Sequence, residues 1–256
     1  MELWQQLLFL CPMLFLAGVV DGISGGGGLI ALPSYLMAGL PVTTAYACNK
    51  MQSCLGTCAS LAKYAKTGFF DIKAAVPASL AAILGSWIAT RIMFMLNDGV
   101  KLWIIAVLTV MVIILTLVTG WFKIDKNTEL RISLSTKNML TCGAIGFGLG
   151  LYDGFFGPGG GTVALLLFAL FLKLDMRVGG GIGKMIVVTS NLTGMIAYIS
   201  KGEVRYVIAL PCAAVNIVGS YVGASLATKK GAGFVKYISW AVVAMLLIQT
   251  ITKFMP

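Results

Sequence analysis

The chain has 256 residues, of which 59% are hydrophobic and 11% are charged, and its mean hydropathy is +0.94. Soluble domains carry about 25% charged residues, so this composition excludes an ordinary soluble protein. Several apolar runs reach the roughly 20 residues that cross a hydrocarbon core of about 30 Å as a helix, and the sequence therefore predicts an all-α, polytopic transmembrane helix bundle.

The net charge of +10 does not indicate a nucleic-acid partner. Most lysines and arginines fall in short loops, where such residues usually set membrane topology. The chain has no histidine and six cysteines, and no two cysteines form a Cys-x-x-Cys pair, so we predict neither a metal site nor a cofactor. Because a Ser–His or His–Asp arrangement is excluded as well, we predict no catalytic residues and no enzyme activity.

Apolar segments follow one another in two similar series. The first series occupies residues 7–38, 42–62, 74–96 and 102–122, and the second occupies residues 139–172, 178–199, 204–227 and 234–251. Glycines interrupt the first run of each series. We therefore divide the chain into a first membrane repeat (1–122), a polar linker (123–137) and a second membrane repeat (138–256). Each repeat is predicted to contain a glycine-broken helical hairpin and three transmembrane helices.

The two series align residue by residue. A shift of 132 places Asp21 on Asp153, and after a two-residue insertion a shift of 134 places Lys50 on Lys184. Glycines, a tyrosine and a proline match in the same order. An ordered series that includes an acid and a lysine indicates an internal duplication.

Lysines and arginines in the loops predict the orientation of the halves. If each broken hairpin enters and leaves on one side, the halves are inverted and the loop charges divide twelve against five. If each hairpin crosses once, the halves are parallel and the division is ten against seven. The stronger bias favours inverted repeats, with a cytoplasmic linker and both termini outside. Inverted repeats that meet around a midplane site are typical of secondary transporters.

Only four charged residues lie deep inside apolar segments, and they are equivalent in the two repeats: Asp21, Asp153, Lys50 and Lys184. Burying such a group in a bilayer costs about 2.5–3.5 kcal/mol on insertion scales, which favours a functional role. The alternative is that the lysines extend to the membrane surface. Lys50 lies about 12 Å inside its segment at about 1.5 Å per residue, whereas Lys184 is nearer the start of its segment.

The glycine runs are predicted to break their helices, because consecutive glycines make a weak helix. A helix that restarts near Gly27–Leu29 would direct free N–H groups into the protein, and helix N-termini bind anions. Close packing of small residues between helices is the alternative. Together with the two lysines, these termini predict a positively polarised cavity whose backbone donors come from Gly25, Gly26, Gly27, Gly28, Gly157, Gly159, Gly160 and Gly161.

Polar residues near the lysines add candidate ligands. Asn49 and Gln52 flank Lys50, while Ser190 and Asn191 follow Lys184 by about two turns. Each side chain can donate a hydrogen bond to an oxyanion, and each can equally connect helices. Ionised Asp21 and Asp153 would repel an anion. Three roles stay open for them: pairing with the lysines, capping the restarted helices, or carrying a coupling proton.

These stretches resemble the TauE/SafE family of membrane permeases, in particular its YfcA-like branch. The resemblance rests on residues 21–28 (DGISGGGG), 49–52 (NKMQ), 150–159 (GLYDGFFGPG) and 189–191 (TSN), and it covers both halves. It implies transport of small sulfur-containing anions, such as sulfite, sulfonates or sulfoacetate, across a bacterial inner membrane. One departure is that Gly183, not asparagine, precedes Lys184, so the two half-sites need not be equivalent.

The sequence thus predicts a permease that moves small anions by alternating access, with membrane lipid around it and a proton as one candidate coupling ion. An anion channel, or a transporter of a non-sulfur anion, is the alternative. A non-transporting membrane anchor is a third reading, but the linker of about fifteen residues is too short for a docking domain. The sequence does not determine the direction of transport or the oligomeric state. It also leaves open whether the broken hairpins are re-entrant or cross the membrane fully.

Overall fold

A computed structural model describes residues 2–97, 99–101, 103–104, 107, 129–133, 135–155, 157–231, 233–235 and 237–238. Apart from a single bridge between Glu129 and Leu174, this part of the chain contains no β-structure. Its eight long helices are α1 (Leu3–Ser24), α2 (Gly28–Met37), α3 (Val42–Lys66), α4 (Ile72–Met95), α5 (Thr136–Phe155), α6 (Gly160–Leu172), α7 (Met176–Ser200) and α8 (Tyr206–Lys230).

The predicted apolar segments correspond closely to these helices. The interrupted run 7–38 forms α1 and α2, and the interrupted run 139–172 forms α5 and α6. The other predicted segments of the described chain become α3, α4, α7 and α8, each within three or four residues at either end. The last predicted segment of each series, 102–122 and 234–251, lies almost entirely outside the described residues, as do residues 123–128 of the linker.

Both predicted helix breaks are confirmed. The helix α1 ends at Ser24 and is followed by Gly25 with a φ of 84°, a left-handed conformation that suits glycine. The chain restarts as α2 at Gly28, within the predicted range. In the second hairpin, Gly157 and Gly159 have φ angles of 88° and 82°. The helices that follow the breaks have 10 and 13 residues, so they rise only about 15 and 20 Å and neither can cross the core alone.

Four helices of the described chain are long and apolar enough to span a membrane: α1, α4, α7 and α8. The helices α3 and α5 have 25 and 20 residues but do not meet this standard. Their composition explains the difference, because α3 carries Lys50 among other polar residues and α5 carries Asp153 and several glycines. These two helices bring polar groups to the interior.

Close glycine contacts join the helices in two places, α1 against α8 and α4 against α5. A Cβ added to Gly22 would lie 2.3 Å from the Ser220 carbonyl oxygen, and a Cβ added to Gly150 would lie 2.2 Å from the Ala82 carbonyl oxygen. Without hydrophobic driving force in lipid, such close backbone approach is how membrane helices gain packing energy. Small-residue packing between helices therefore does occur, and it involves helical glycines such as Gly22 and Gly150.

One of these contacts occurs twice at corresponding positions. Gly85 packs against the backbone of Phe147 and Leu151, while Gly219 packs against the backbone of Phe15 and Val19. The 134-residue shift relates the two glycines, and the 132-residue shift relates their partners. Each contact joins the predicted first repeat to the second. The helices of the two predicted repeats are thus interleaved.

We expect Gly150→Ala to destabilise the protein by about 1–3 kcal/mol, because the new methyl group has no room at the crossing of α4 and α5. Gly148→Ala is the matched control on the same helix, since a Cβ there would meet nothing within 4 Å. It should leave stability unchanged or raise it by about 0.5–1 kcal/mol through helix propensity. Thermal unfolding in detergent measures whether each variant is less or more stable than the wild type. Equal shifts for both variants would contradict the close packing.

Candidate functional site

The four embedded charges form two ion pairs. Lys50 Nζ lies 2.8 Å from Asp153 Oδ2, and Lys184 Nζ lies 3.1 Å from Asp21 Oδ2. The side chains are 1% and 4% exposed in the first pair and 2% and 11% exposed in the second. Each pair joins a lysine of one predicted repeat to an aspartate of the other. Of the three roles left open for the aspartates, the structure shows pairing with the lysines.

Each lysine also binds the end of a broken helix. Lys184 donates a hydrogen bond to the backbone carbonyl of Asp21 in the last turn of α1, and Lys50 donates one to the backbone carbonyl of Asp153 in the last turn of α5. The carbonyl groups at a helix C-terminus lack partners within the helix and carry partial negative charge, so a cation is favourable there. The lysines thus neutralise carboxylates and helix C-termini, which differs from the positively polarised cavity expected from the sequence.

The remaining carbonyls at the end of α1 are satisfied by other helices. The Tyr64 hydroxyl lies 3.3 Å from the Gly22 carbonyl oxygen and 3.1 Å from that of Ile23, and Thr162 Oγ1 lies 2.8 Å from that of Ser24. With the Asp21 carbonyl bound by Lys184, every carbonyl of the last four residues of α1 accepts a side-chain donor. The break is therefore held by α3, α6 and α7 together.

Each carboxylate receives a second donor from its own predicted repeat. Ser190 Oγ donates to Asp153 Oδ2 over 2.6 Å, and Thr57 Oγ1 donates to Asp21 Oδ2 over 3.2 Å. Ser190 was a candidate from the sequence, and Thr57 was missed. A signal for Thr57 was present, since it follows Lys50 by seven residues and so lies on the same face of α3.

The two helix breaks touch each other. A Cβ added to Gly25 would lie 2.3 Å from Gly161 Cα, and one added to Gly28 would lie 2.9 Å from Pro158 Cα. Both breaks thus need glycine for close backbone approach as well as for their turns. The glycine stretches that the sequence singled out lie together at the centre of the described bundle.

A small cavity separates the two ion pairs. Its volume of about 10 Å³ is roughly the room that one water needs, which is too little for an oxyanion. The lining residues that the sequence predicted are Asp21, Gly25, Gly28, Asn49, Asp153, Gly157, Gly161 and Asn191, and the two that it missed are Ser53 and Val187. In this conformation the centre is closed.

The other predicted residues do not line the cavity. Ser190 and the two lysines bind the aspartates of its wall, and the remaining ones are Gly26, Gly27, Gly159, Gly160 and Gln52. Gly27 is needed for packing, since an added Cβ would lie 2.4 Å from the Ala17 carbonyl oxygen.

Two amides next to Lys50 carry unsatisfied oxygens. Asn49 Oδ1 and Gln52 Oε1 are buried, and no hydrogen-bond partner is found for either in the described chain. An unpaired buried polar atom costs about 1–3 kcal/mol, so such atoms are expected where a ligand or water binds. Asn49 lines the cavity, and rotation of its amide would present an N–H donor there instead of an acceptor.

Comparison with known proteins places the chain among transporters. The family model described as "Sulfite exporter TauE/SafE" matches residues 10–251. A Sinorhizobium protein named "Probable membrane transporter protein ORF9" is 28% identical over 91% of this chain and 87% of its own length. A Haemophilus influenzae probable membrane transporter is 26% identical over 85% of this chain and 83% of its own length.

A third relative is the Escherichia coli K12 protein named "Probable membrane transporter protein YfcA". It is 24% identical over 90% of this chain and 87% of its own length. No solved structure matches the chain significantly. The family model's range of residues 10–251 includes both glycine stretches and all four embedded charges.

The crossed pairing makes a rescue prediction. Lys50→Met leaves Asp153 buried without its partner and should destabilise the protein by about 3–5 kcal/mol. Adding Asp153→Asn removes the uncompensated charge and should restore most of the lost stability, whereas adding Asp21→Asn should lower stability further. Thermal unfolding of the single and double variants checks this.

The second pair supplies the matched control. Lys184→Met should be rescued by Asp21→Asn and not by Asp153→Asn. Rescue within a predicted repeat, as by Asp21→Asn in the Lys50→Met background, would contradict the crossed pairs.

Proposed function

Because the chain belongs to the sulfite exporter TauE/SafE family, we propose that this membrane transporter moves small oxyanions, in particular sulfite or organosulfonates, across the bacterial inner membrane. The observation that carries the proposal is the pair of buried lysines at a closed central cavity. A lysine in low dielectric needs an anionic partner. An incoming oxyanion can take the place of the aspartate as that partner.

The proposed binding step is an exchange of partners. Lys50 leaves the Asp153 carboxylate and binds the oxyanion, and Asn49, Asn191 and Ser53 around the cavity donate further hydrogen bonds. Ser190 keeps its contact with Asp153 and so holds the released carboxylate. Lys184 and Asp21 form the corresponding pair on the other side of the cavity. The glycine backbones allow the anion to approach closely.

Charge balance suggests a proton as the coupling ion. Two lysines and two aspartates sum to zero, so an anion alone would leave a net negative charge in the closed centre, which is unfavourable at low dielectric. For a singly charged anion, protonation of the aspartate that has lost its lysine restores neutrality. We therefore propose that one proton accompanies each anion through the site.

Alternating access would follow from inverted repeats. We propose that the two predicted repeats are inverted around the cavity, with the linker cytoplasmic and both termini outside. The paired glycine contacts and the crossed ion pairs occur at positions related by the same residue shifts, which supports the duplication. The division of the loop charges supports the inversion and the orientation. Rocking of one half against the other would open the cavity to each side in turn.

A channel is the alternative, and the central geometry favours a carrier. A conducting pore needs a continuous path, whereas the described centre holds about 10 Å³ of space and charges that are paired. Transport with a conductance far above carrier turnover would favour the channel. A non-sulfur oxyanion would use the same lysines and amides.

Anion binding to purified protein tests the proposal. Thermal unfolding is measured with sulfite, sulfate, thiosulfate, sulfoacetate, taurine and simple carboxylates. We expect one class to stabilise the wild type, by about 2.7 kcal/mol at a hundred times its Kd. The variant that combines Lys50→Met with Asp153→Asn has no unpaired charge and should fold without responding.

Lys66→Met, an exposed position on the same helix, is the matched control and should respond like the wild type. A folded double variant with an unchanged response would remove Lys50 from the site. Stabilisation by carboxylates and not by sulfur oxyanions would overturn the substrate class.

A further inference from the structure

A second and larger cavity lies between the C-terminal ends of α4 and α7. Its volume is about 260 Å³, and its lining includes Trp87, Thr90, Arg91 and Phe94 of α4, Ile196 of α7 and Lys201 just beyond the end of α7. None of these residues belongs to the central pairs. By the count of loop charges, Arg91 and Lys201 lie on the face predicted to be external.

This cavity is positively charged. Arg91 and Lys201 are both exposed, and neither forms an ion pair with a carboxylate of the described chain. Their cationic groups lie over aromatic rings instead, at 5.5 Å from the Trp87 ring centre and 5.9 Å from the Phe94 ring centre. Two cations that have no acidic partner among the described residues, held beside aromatic faces, have the chemistry that suits an anion with an apolar part.

A buried hydroxyl in the same wall is unsatisfied. Thr90 is 1% exposed, and no partner is found for its Oγ1 in the described chain. A threonine within a helix normally bonds back to a carbonyl of the preceding turn, as Thr193 of this cavity does with the Thr189 carbonyl over 2.8 Å. Ser86, one turn before Thr90, donates to the Ser190 carbonyl over 2.9 Å. Of these three hydroxyls, only that of Thr90 has no partner in the described chain, and the Thr90 residue lines the cavity.

We propose that this cavity binds the acidic head of an amphipathic anion, a sulfonate or phosphate group attached to a short apolar body. Arg91, Lys201 and the Thr90 hydroxyl receive the oxyanion, and Trp87, Phe94 and Ile196 contact the apolar part. A volume of about 260 Å³ is near the lower limit for small-molecule sites, about 300 Å³. It accommodates a head group with a few carbon atoms.

The site lies beside the central one and is distinct from it. Thr193 of the cavity precedes Gly194, where an added Cβ would lie 3.3 Å from the Cδ atom of Lys50. The helix α7 thus contacts the stem of Lys50 at Gly194 and lines the outer cavity at Thr193 and Ile196. The inference does not rest on the proposed transport of sulfur oxyanions, since its ligand groups are different residues.

Titration with 1-butanesulfonate tests the site. The protein is held in phosphatidylcholine nanodiscs, and binding is followed by the fluorescence of Trp87, with Trp87→Phe to identify that signal. We expect saturable binding by butanesulfonate, weaker binding by methanesulfonate, which lacks the apolar part, and none by butyltrimethylammonium, which has the opposite charge. Combining Arg91→Gln with Lys201→Gln should weaken binding at least about tenfold.

Three variants keep the result interpretable. Lys230→Gln removes another exposed lysine beside an aromatic ring, 4.9 Å from the Phe234 centre, and should bind like the wild type. The variant that combines Lys50→Met with Asp153→Asn should also bind butanesulfonate at the outer cavity. Loss of anion binding at the central site can therefore be distinguished from loss of binding at the outer cavity. Thr90→Val should weaken binding and raise the unfolding temperature of the free protein, because it removes an unpaired hydroxyl.

Nanodiscs that contain phosphatidylglycerol distinguish the two sources of the head group. If phosphatidylglycerol competes with butanesulfonate in the wild type, and this competition is lost in the variant that combines Arg91→Gln with Lys201→Gln, the natural ligand is a lipid phosphate. Absence of competition would identify a free organic anion. Butanesulfonate binding that is absent, or unchanged when both cations are removed, would overturn the inference.

Discussion

Four ionised side chains buried in a membrane protein can exist only if they neutralise one another. Burying one isolated charge costs several kcal/mol even after relaxation. Here Lys50 and Lys184 each have both a carboxylate and a helix C-terminus as partners. Much of the remaining structure follows from this requirement. The helices α1 and α5 must end inside the protein so that their carbonyls are available, and glycines at positive φ make those ends possible. Glycine contacts between α1 and α8 and between α4 and α5 pack α1 and α5, which carry the aspartates, against helices of the other half.

The same requirement makes the closed centre a plausible transport intermediate. A buried ion pair contributes little net stability, so exchanging a carboxylate for a substrate oxyanion would change the free energy of the protein only modestly. The exchange would, however, release each lysine from the aspartate of the other half. The pairs are among the contacts that cross between the predicted repeats at the cavity. Substrate binding would therefore loosen the halves at the point where movement is needed. In the proposed exchange, proton uptake by the released aspartate would keep the centre neutral during that movement.

Local features of this structure were predictable from sequence, and partner choice was not. Hydrophobic runs gave six of the eight segments to within a few residues of the described helices, and the consecutive glycines gave both breaks, because these properties depend on neighbours along the chain. Asp21, Asp153, Lys50 and Lys184 stood out since charge in an apolar run is costly. That Lys50 pairs with Asp153 and not with Asp21 depends on how α3 and α5 meet, which no local pattern contains. The cavity beside Arg91 and Lys201 was missed for the same reason, because α4 and α7 come together only in the folded bundle. Thr57 differs, since its spacing of seven residues from Lys50 was visible in the sequence.

Calorimetric titration of sulfite into Asp153→Asn is the most direct test of partner exchange. Removing the carboxylate that competes for Lys50 should tighten anion binding, by about tenfold or more if one charge-assisted hydrogen bond is freed. The heat should also lose its dependence on buffer ionisation if Asp153 takes up the proton in the wild type. Binding that is unchanged or weaker in Asp153→Asn, in a protein whose helical circular dichroism shows it to be folded, would contradict the account, because the aspartate would then not be the group that the anion replaces.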